Sequence, residues 1–350
     1  MISCVEAKTK AQKKTFERFR HALYRGDPFY VSTVEFNLKM LLYKTTTFAK
    51  NAWSLPLLVY DEQVLVAECI LVHDSHTDFL QMAYFEALPN AQGAVESLKD
   101  YAKDMARRLG LGRVIVGLCG HLSYGVGLSL DMTAPNTFDS TYTKTYYPAF
   151  FEDGEIHTMR AYRSESHILQ DKFASRTPRI SVRPIEMRKF REEMALFREL
   201  TEQTIGKTFL YAQTEPHHFE EIIGEMSFFL KAENILFAFD GERPVGFLFW
   251  HPDYCEVLPK GKQNSLLAIA IRYIAKQKQI KTVKVNAIGA ISGYAGRVTE
   301  ALLHEMSRYT AHYTYVETNF VWDENRPSRL LNDSLFAEPF RRFAVWEYRI

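Results

Sequence analysis

The stretch from residue 281 to 305, KTVKVNAIGAISGYAGRVTEALLHE, constrains the fold more than any other part of the chain. Its first part is a β-branched, apolar run that is typical of a buried strand. Gly289, Gly293 and Gly296 then interrupt this run, and glycine permits the backbone conformations that a tight loop requires. Apolar residues at helical spacing follow from Val298 onward. The stretch is therefore predicted to form a strand, a glycine-bearing loop and a helix.

A loop that leads into a helix is suited to bind an anionic group. The N–H groups of the first helical turn have no partner inside the helix, and the positive end of the helix dipole lies at the same place. A phosphate or pyrophosphate group would fit there. Short glycine patterns also occur in ordinary strand–loop–helix connections, so an ordinary connection is the alternative interpretation.

Length and charge limit the classes of partner that we expect. The chain has 350 residues, which exceeds the usual size of one domain and predicts two. Its formal net charge is +1, so there is no overall field to attract nucleic acid or a membrane surface. The basic cluster from Lys8 to Arg20 is interpreted as a solvated helix face. We therefore expect neither a nucleic acid nor a membrane as a partner.

The pattern of cysteines, apolar runs and histidines argues against a disulfide-linked, membrane-spanning, secreted or metal-binding protein. The four cysteines lie far apart without Cys-x-x-Cys spacing, which favours free thiols and a cytoplasmic location. No apolar run reaches the length of a membrane span, and we expect no signal peptide because the start of the chain lacks an apolar core. The histidine pairs 73/76 and 217/218 lack a third ligand at a familiar spacing, so no metal is expected.

The two halves of the chain share an order of predicted elements, which suggests an internal duplication. Each half reads as helix, hairpin, third strand, helix, strand, loop and strand, and the turn at Asp240-Gly241 is the clearest hairpin signal. The polar segment from Gln170 to Pro178 is the predicted linker, giving domains over residues 1–175 and 176–350. We predict an α/β protein of the α+β type, in which each domain is a mixed, mostly antiparallel sheet flanked by helices.

Three segments of the second half resemble the GNAT superfamily of acyl-CoA-dependent N-acyltransferases. They are FAFDGERPVGFLFW at 237–250, VNAIGAISGYAGRVTEALL at 285–303 and ETNFVWDENRPSRLL at 317–331. Together with the first-half segments at 16–31 and 84–117, they make the whole chain similar to an uncharacterised bacterial family of tandem GNAT-like domains. The resemblance implies two GNAT-like domains and acetyl-CoA as the default cosubstrate.

The phosphate-binding loop departs from the pattern of the superfamily, which usually runs Arg/Gln-x-x-Gly-x-Gly/Ala. The corresponding window, residues 294–299, has Ala295 where the first Arg or Gln is expected, and Val298 replaces a later glycine. The equivalent first-half window, residues 88–93, has one glycine and no cation. The resemblance therefore implies coenzyme binding by the second half, with its pyrophosphate at Gly293, Gly296, Arg297 and Val298.

The resemblance also implies where the reaction would occur. An amine attacks the thioester in a gap between two strands, a base removes a proton and a donor protonates the leaving thiolate. The strand amides that would hold the pantetheine arm belong to Ala287, Ile288 and Gly289.

Three further residues are candidates for catalysis. Glu317 is predicted to be the general base or to position the acceptor amine, because burial in an apolar, aromatic segment would raise its pKa; a surface-facing strand residue is the alternative. Asn325 matches a position near the coenzyme arm and equally fits a helix N-cap. Tyr294 is a candidate proton donor, with packing as the alternative.

The sequence leaves three functions open. The first is an N-acyltransferase that acts on an unidentified small-molecule amine or peptide, with a homodimer as one option for its assembly. The altered phosphate loop also fits a non-catalytic acyl-CoA-binding or scaffold protein. The basic N-terminal cluster fits an aminoacyl transferase that takes its donor from charged tRNA. Neither a Gly-x-Ser-x-Gly motif nor a Walker loop occurs in the sequence.

Overall fold

The computed structural model describes residues 1–32, 35–132, 134–174, 179–224, 229–262, 264–336 and 339–350. The helices and strands of the first half are β1 (Ile2–Glu6), α1 (Lys10–Tyr24), α2 (Glu35–Tyr43), α3 (Thr47–Asn51), β2 (Trp53–Asp61), β3 (Val64–His73), β4 (Phe79–Ala87), α4 (Gln92–Arg108), β5 (Arg113–Val116), β6 (Leu128–Ser129), β7 (Glu155–Glu165) and α5 (Ser166–Ala174). The predicted linker at 170–178 thus begins inside α5, and its residues 175–178 lie outside the described part of the chain.

The second half has a similar order of elements, with one additional helix after its hairpin and another before its last strand. Its elements are β8 (Ser181–Pro184), α6 (Phe190–Ile205), α7 (Pro216–Gly224), β9 (Ile235–Asp240), β10 (Arg243–Pro252), α8 (Leu266–Lys276), β11 (Thr282–Ala290), α9 (Ala295–Thr310), β12 (Tyr315–Thr318), β13 (Val321–Trp322), α10 (Arg326–Leu335) and β14 (Pro339–Arg349). The stretch at 281–305 forms the predicted strand, loop and helix, as β11, residues 291–294 and α9.

The strands of the described residues form one continuous sheet. Its order is β1-β2-β3-β4-β5-β14-β7-β12-β11-β10-β9-β8, with β6 beside β14 and β13 beside β7. The β4/β5 and β11/β12 pairs are parallel, because each is joined by a crossover helix, and the other pairs are antiparallel. The predicted fold class, a mixed and mostly antiparallel sheet flanked by helices, is confirmed.

The two halves exchange strands at the centre of this sheet. The last strand of the chain, β14, lies between β5 and β7, with Trp346 opposite Val116 and Arg342 opposite Arg160. The last strand of the first half, β7, also pairs with β12 of the second. The sequence ranges 1–175 and 176–350 therefore do not correspond to two self-contained sheets, because each range supplies a strand that borders the sheet of the other.

Helices cover both faces of the sheet. In the first half α4 buries Val95, Leu98 and Ala102 against the strands, and in the second half α9 buries Val298 and Leu302 in the same way. Helices α6 and α7 cover the opposite face of the second half, in an aromatic core that contains Phe197, Phe219, Phe237, Phe247 and Phe249.

The parallel strands β11 and β12 separate after a short paired segment. They pair from Thr282 to Val285, after which β11 continues to Ala290 while β12 ends at Thr318. A β-bulge lies at the point of separation, since Trp250 of β10 is opposite Val285 but Phe249 is opposite Ala287. A bulge bends its strand away from the regular ladder, so the two strands diverge and leave a gap.

Candidate active site

A cavity of about 360 Å³ occupies the gap between β11 and β12. Residues from both faces of the sheet line it, so the cavity passes through the gap. On the side of α6 and α7 its walls are mainly apolar and aromatic, and include Phe197, Phe219, Ile222, Ile223, Phe229 and Phe249. On the side of α9 and α10 it is lined by Leu303, Ser328, Leu331, Asn332, Leu335 and Phe336.

Loops of the first half close part of this cavity. Residues 122–126 and 138–141 line it together with the helices and strands of the second half. Side chains of the second half hold loop 138–141 in place by hydrogen bonds. Phe138 N–H donates to Asp253 Oδ1 at 2.7 Å. Lys284 Nζ donates to Phe138 O at 3.0 Å and to Ser140 Oγ at 2.7 Å. The site is therefore built by both halves of the chain.

The strand residues predicted to hold a pantetheine arm divide into two groups. Ala287 and Ile288 line the cavity in the part of β11 that pairs with β10 but no longer with β12. Gly289 is not among the lining residues, and it instead lies under α6: a Cβ at this position would be 2.2 Å from Thr204 Oγ1 and 2.7 Å from Phe247 Cε1. Gly289 is thus required for the packing of α6 on the sheet.

The predicted phosphate loop leads from β11 into the N-terminus of α9. Gly293 has φ of +85°, a conformation that favours glycine. Neither Gly293 nor Gly296 would place a Cβ within 4 Å of any described atom. Arg297 is exposed, and its guanidinium carbon lies 5.3 Å from the centre of the Tyr294 ring. The first turn of α9 is consequently open to a ligand.

Val298 does not fit its predicted role. Its N–H donates to Tyr294 O at 3.0 Å within the helix, and its side chain is fully buried in the core beneath α9. The amides without a partner inside a helix are those of its first three residues, here Ala295, Gly296 and Arg297. The Ala295 amide is therefore without a partner inside the helix, whereas the Val298 amide is not.

Glu317 lies in a different place from the predicted one. Its side chain is fully buried and accepts hydrogen bonds from Thr137 Oγ1 at 2.9 Å and from Arg163 Nη2 at 2.9 Å, with Arg341 Nε at 3.4 Å. Its strand neighbours Val316 and Thr318 line the cavity, but Glu317 does not. Side chains alternate along a strand, so its carboxylate points away from the side that Val316 and Thr318 face. This geometry does not support Glu317 as a base that acts in the gap.

The structure separates the other two catalytic candidates. Asn325 lines the cavity and is also the N-cap of α10, where its side chain accepts from Ser328 N–H at 3.3 Å. Tyr294 is not among the lining residues; its hydroxyl donates to Asp240 Oδ2 at 2.8 Å, and this bond raises its pKa. The geometry does not support Tyr294 as a proton donor to a group in the gap.

Asp139 also lines the cavity, and no pattern in the sequence pointed to it. It has φ of +61°, and its carboxylate accepts a hydrogen bond from Nδ2 of Asn286, the residue at the bulge of β11. Burial raises the pKa of this carboxyl, and the Lys284 ammonium group and the Asn286 amide offset part of the effect. Asp139 comes from a polar loop of the first half, and no local pattern connects that loop with a strand almost 150 residues later.

A second polar pair lies on the wall formed by loop 122–126. Tyr124 lines the cavity, and its hydroxyl is 2.9 Å from His218 Nε2 on α7. Burial lowers the pKa of His218 to about 3, so the imidazole is neutral at pH 7 and is joined to the Tyr124 hydroxyl by a hydrogen bond. The sequence analysis considered His218 only as a metal ligand. Among the described residues, no group of three or more His, Cys, Asp or Glu side chains could hold a metal ion.

The equivalent gap in the first half is closed. Strands β4 and β5 separate in the same way after Met82 and Val116, but the cavity beside them measures only about 20 Å³. Two tyrosines hydrogen-bond to the backbone of Ala87. Tyr146 Oη donates to the Ala87 carbonyl at 2.7 Å, and the Ala87 N–H donates to Tyr147 Oη at 3.1 Å. These backbone groups are therefore not available to hydrogen-bond a ligand.

Comparison with known proteins shows the class of fold. No family model matches the sequence, and no curated protein matches it. Among solved structures, a tandem GNAT protein from the clavulanic acid biosynthesis pathway, solved without acetyl-CoA, is similar over 100% of this chain and 98% of its own, with a TM-score of 0.58 and 12% identity.

Two bacterial structures give the same result. A GCN5-related N-acetyltransferase from Sphaerobacter thermophilus is similar over 99% of this chain and 95% of its own, with a TM-score of 0.53 and 12% identity. A protein from Enterococcus faecalis described as a probable N-acyltransferase is similar over 100% of this chain and 73% of its own, with a TM-score of 0.53 and 9% identity. The chain has the tandem GNAT fold, as its sequence resemblance implied. No helix of the described residues is long and apolar enough to span a membrane.

Proposed function

We propose that this protein transfers an acyl group from an acyl-CoA to an amine, at a single site in the second half. The observation that carries the proposal is the position of the 360 Å³ cavity. It lies where β11 and β12 separate, and β11 leads directly into the open first turn of α9. A thioester in the gap and a pyrophosphate at the helix would be joined along one continuous surface.

The residues present fit the parts of coenzyme A. The amides of Ala295, Gly296 and Arg297 at the N-terminus of α9 would bind the pyrophosphate. The unpaired edge of β11 at Ala287 and Ile288 would bind the pantetheine arm. Acetyl-CoA is the default donor. The first half would not bind a second coenzyme, because Tyr146 and Tyr147 already use the backbone groups of Ala87.

The acceptor amine would reach the thioester from the opposite face of the sheet. Coenzyme A would occupy the side of α9 and α10, which leaves the side of α6, α7 and loop 138–141 for the acceptor. The gap holds the two reactants against each other, and such positioning supplies much of the rate enhancement in direct group transfer. The amine nitrogen attacks the carbonyl carbon of the thioester, and the coenzyme leaves as its thiol.

Binding of acetyl-CoA by variants of α9 tests the proposed placement. We expect Arg297→Glu to weaken acetyl-CoA binding about tenfold, equivalent to about 1.4 kcal/mol, since it puts a negative charge beside the pyrophosphate. The effect should decrease at high salt because Arg297 is exposed. Isothermal titration calorimetry measures the change.

Lys278→Glu is the matched control, because it makes the same charge change at an exposed position outside the proposed site. It should bind acetyl-CoA as the wild type does. Equal affinity of wild type and Arg297→Glu at low salt would reject the placement. Tight binding of acetyl-CoA without transfer to any of a panel of amines would instead favour the non-catalytic acyl-CoA-binding protein.

A further inference from the structure

Asp139 is the only Asp, Glu, Lys or Arg among the described residues that line the cavity. The rest of the lining is apolar, aromatic or neutral and polar. A charged ligand group is costly to bury without a partner. The cavity can therefore accept a cation beside Asp139, whereas an anion there would be repelled by the carboxylate.

The surroundings of Asp139 leave its carboxylate available to the cavity. Its partner on β11 is the neutral amide of Asn286. Lys284 interacts electrostatically with Asp139, but the described hydrogen bonds of its ammonium group are to Phe138 O and Ser140 Oγ. The carboxylates of Asp253 and Glu317 also surround Lys284, and each is held by other donors: Phe138 N–H for Asp253, and Thr137 and Arg163 for Glu317.

The space next to Asp139 has the character of an apolar pocket. On the side of α6 and α7 it is enclosed by Phe197, Phe219, Ile222, Ile223, Phe229 and Phe249. An aromatic or aliphatic group of the acceptor would be buried against these side chains, and removal of its apolar surface from water would favour binding. A sugar or a polyamine would lose hydration there without gaining equivalent polar contacts.

We propose that the acceptor is a primary amine on an apolar body, and that Asp139 binds its ammonium group and acts as the general base. This inference rests on the proposed acyl transfer and assigns its base to a residue of the first half. Glu317 does not fill this role, because it does not line the cavity and its carboxylate is held by Thr137 and Arg163.

The proton and bond changes are as follows. The substrate ammonium loses one proton to an Asp139 carboxylate oxygen, which frees the lone pair of the nitrogen. A C–N bond forms to the thioester carbonyl carbon and the C–S bond breaks. The nitrogen loses its second proton and the coenzyme leaves as the thiol. Asp139 then releases its proton to solvent, so the products are an amide, a free thiol and one proton.

Asp139→Asn is a suitable test because it preserves the local structure. Asparagine tolerates the left-handed backbone at φ of +61° as well as aspartate does. Its carbonyl oxygen can still accept the hydrogen bond from Asn286. We expect kcat/KM for acetyl-CoA and 2-phenylethylamine to fall by about two to four orders of magnitude at pH 7, with acetyl-CoA affinity unchanged.

The pH profile distinguishes a base from a residue that only shapes the site. Because the pKa of Asp139 is raised, wild-type kcat/KM should decrease as the pH falls through that pKa, where the carboxylate becomes protonated. For Asp139→Asn the deficit should shrink toward pH 10, since more of the amine then arrives already deprotonated. A deficit that stays constant between pH 7 and pH 10 would overturn the assignment.

Asp131→Asn is the matched control, because Asp131 lies on the same connection and its carboxylate binds Arg342 outside the cavity. It should keep wild-type kcat/KM.

The wild type should also prefer 2-phenylethylamine to glucosamine, which carries one ammonium group on a polar body; the reverse preference would overturn the acceptor class. If the wild type transfers the acetyl group and Asp139→Asn is equally active, the role of Asp139 is overturned but the proposed acyl transfer is not. If the wild type does not bind acetyl-CoA, the proposed function itself is rejected.

Discussion

At the scale of single residues, Glu317 shows how burial and partners decide the role of a carboxylate. The sequence placed it in an apolar segment and predicted a base with a raised pKa. In the structure it is paired with Arg163 and Arg341, which lie on β7 and β14. A carboxylate that is held by two guanidinium groups and lies outside the cavity lining has no contact with a ligand in the gap. Through these ion pairs, Glu317 links β12 to β7 and β14 at the centre of the sheet.

Replacement of Glu317 by glutamine should reduce stability more than catalysis. The variant would leave the buried Arg341 without a counterion, so we expect the free energy of unfolding to fall by about 3 kcal/mol, measured by urea denaturation. Turnover per folded molecule should stay within a few-fold of wild type. Glu324→Gln is the control at an exposed carboxylate and should change stability by less than about 0.5 kcal/mol. A stable Glu317→Gln protein with little turnover would restore the catalytic role.

At the scale of elements, the contact between α6 and β11 sets the width of the cavity. Thr201 and Thr204 of α6 line the cavity, and α6 can approach β11 closely only because residue 289 has no side chain. We expect Gly289→Ala to lower the free energy of unfolding by about 1–3 kcal/mol and to raise the KM for the acceptor, since α6 must move outward. Thermal unfolding and steady-state kinetics measure the two effects.

Gly296→Ala provides the comparison, because the added methyl group would meet no described atom within 4 Å. Alanine also has a higher helix propensity than glycine, so this variant should be at least as stable as the wild type. If Gly289→Ala unfolds at the wild-type temperature, the close contact between α6 and β11 does not constrain the site as described here.

At the scale of the whole molecule, the strand exchange makes the two halves dependent on each other. Strand β14 fills the space between β5 and β7, and contacts away from the sheet add to this dependence: Thr47 N–H donates to Glu221 Oε2 at 2.9 Å, and His121 Nε2 lies 3.1 Å from Ala212 O. A first half without β14 would expose the edge of β5, and exposed strand edges promote aggregation.

Separate expression of residues 1–175 and 176–350 should therefore give insoluble or unfolded products, whereas co-expression should restore a soluble complex. The intact chain should unfold in one cooperative transition by calorimetry. Two independent transitions, or a soluble and folded first half, would contradict this dependence. Removal of the chain after residue 336 should have the same effect as separation, because it deletes β14.

Local patterns in the sequence predicted the elements and the fold class. The strand, glycine loop and helix at 281–305 depend on side-chain periodicity and on the conformational freedom of glycine, both of which act over a few residues. The same stretch led to Ala287, Ile288, Gly296 and Arg297, which the structure places at the cavity or at the open turn of α9. Gly289 and Val298 were assigned to binding, but the tight packing of α6 and α9 on the sheet requires them in the core.

Local sequence patterns were enough to predict the similar order of elements in the two halves, the mixed and mostly antiparallel sheet, and the strand–loop–helix unit beside the cavity. The neighbours of the central strands and the residues that face the gap depend instead on contacts between distant parts of the chain. The exchange of β7 and β14 and the position of Asp139 both join parts of the chain that lie more than 100 residues apart. Such contacts depend on shape and burial in the folded molecule, and no periodicity within either segment encodes them.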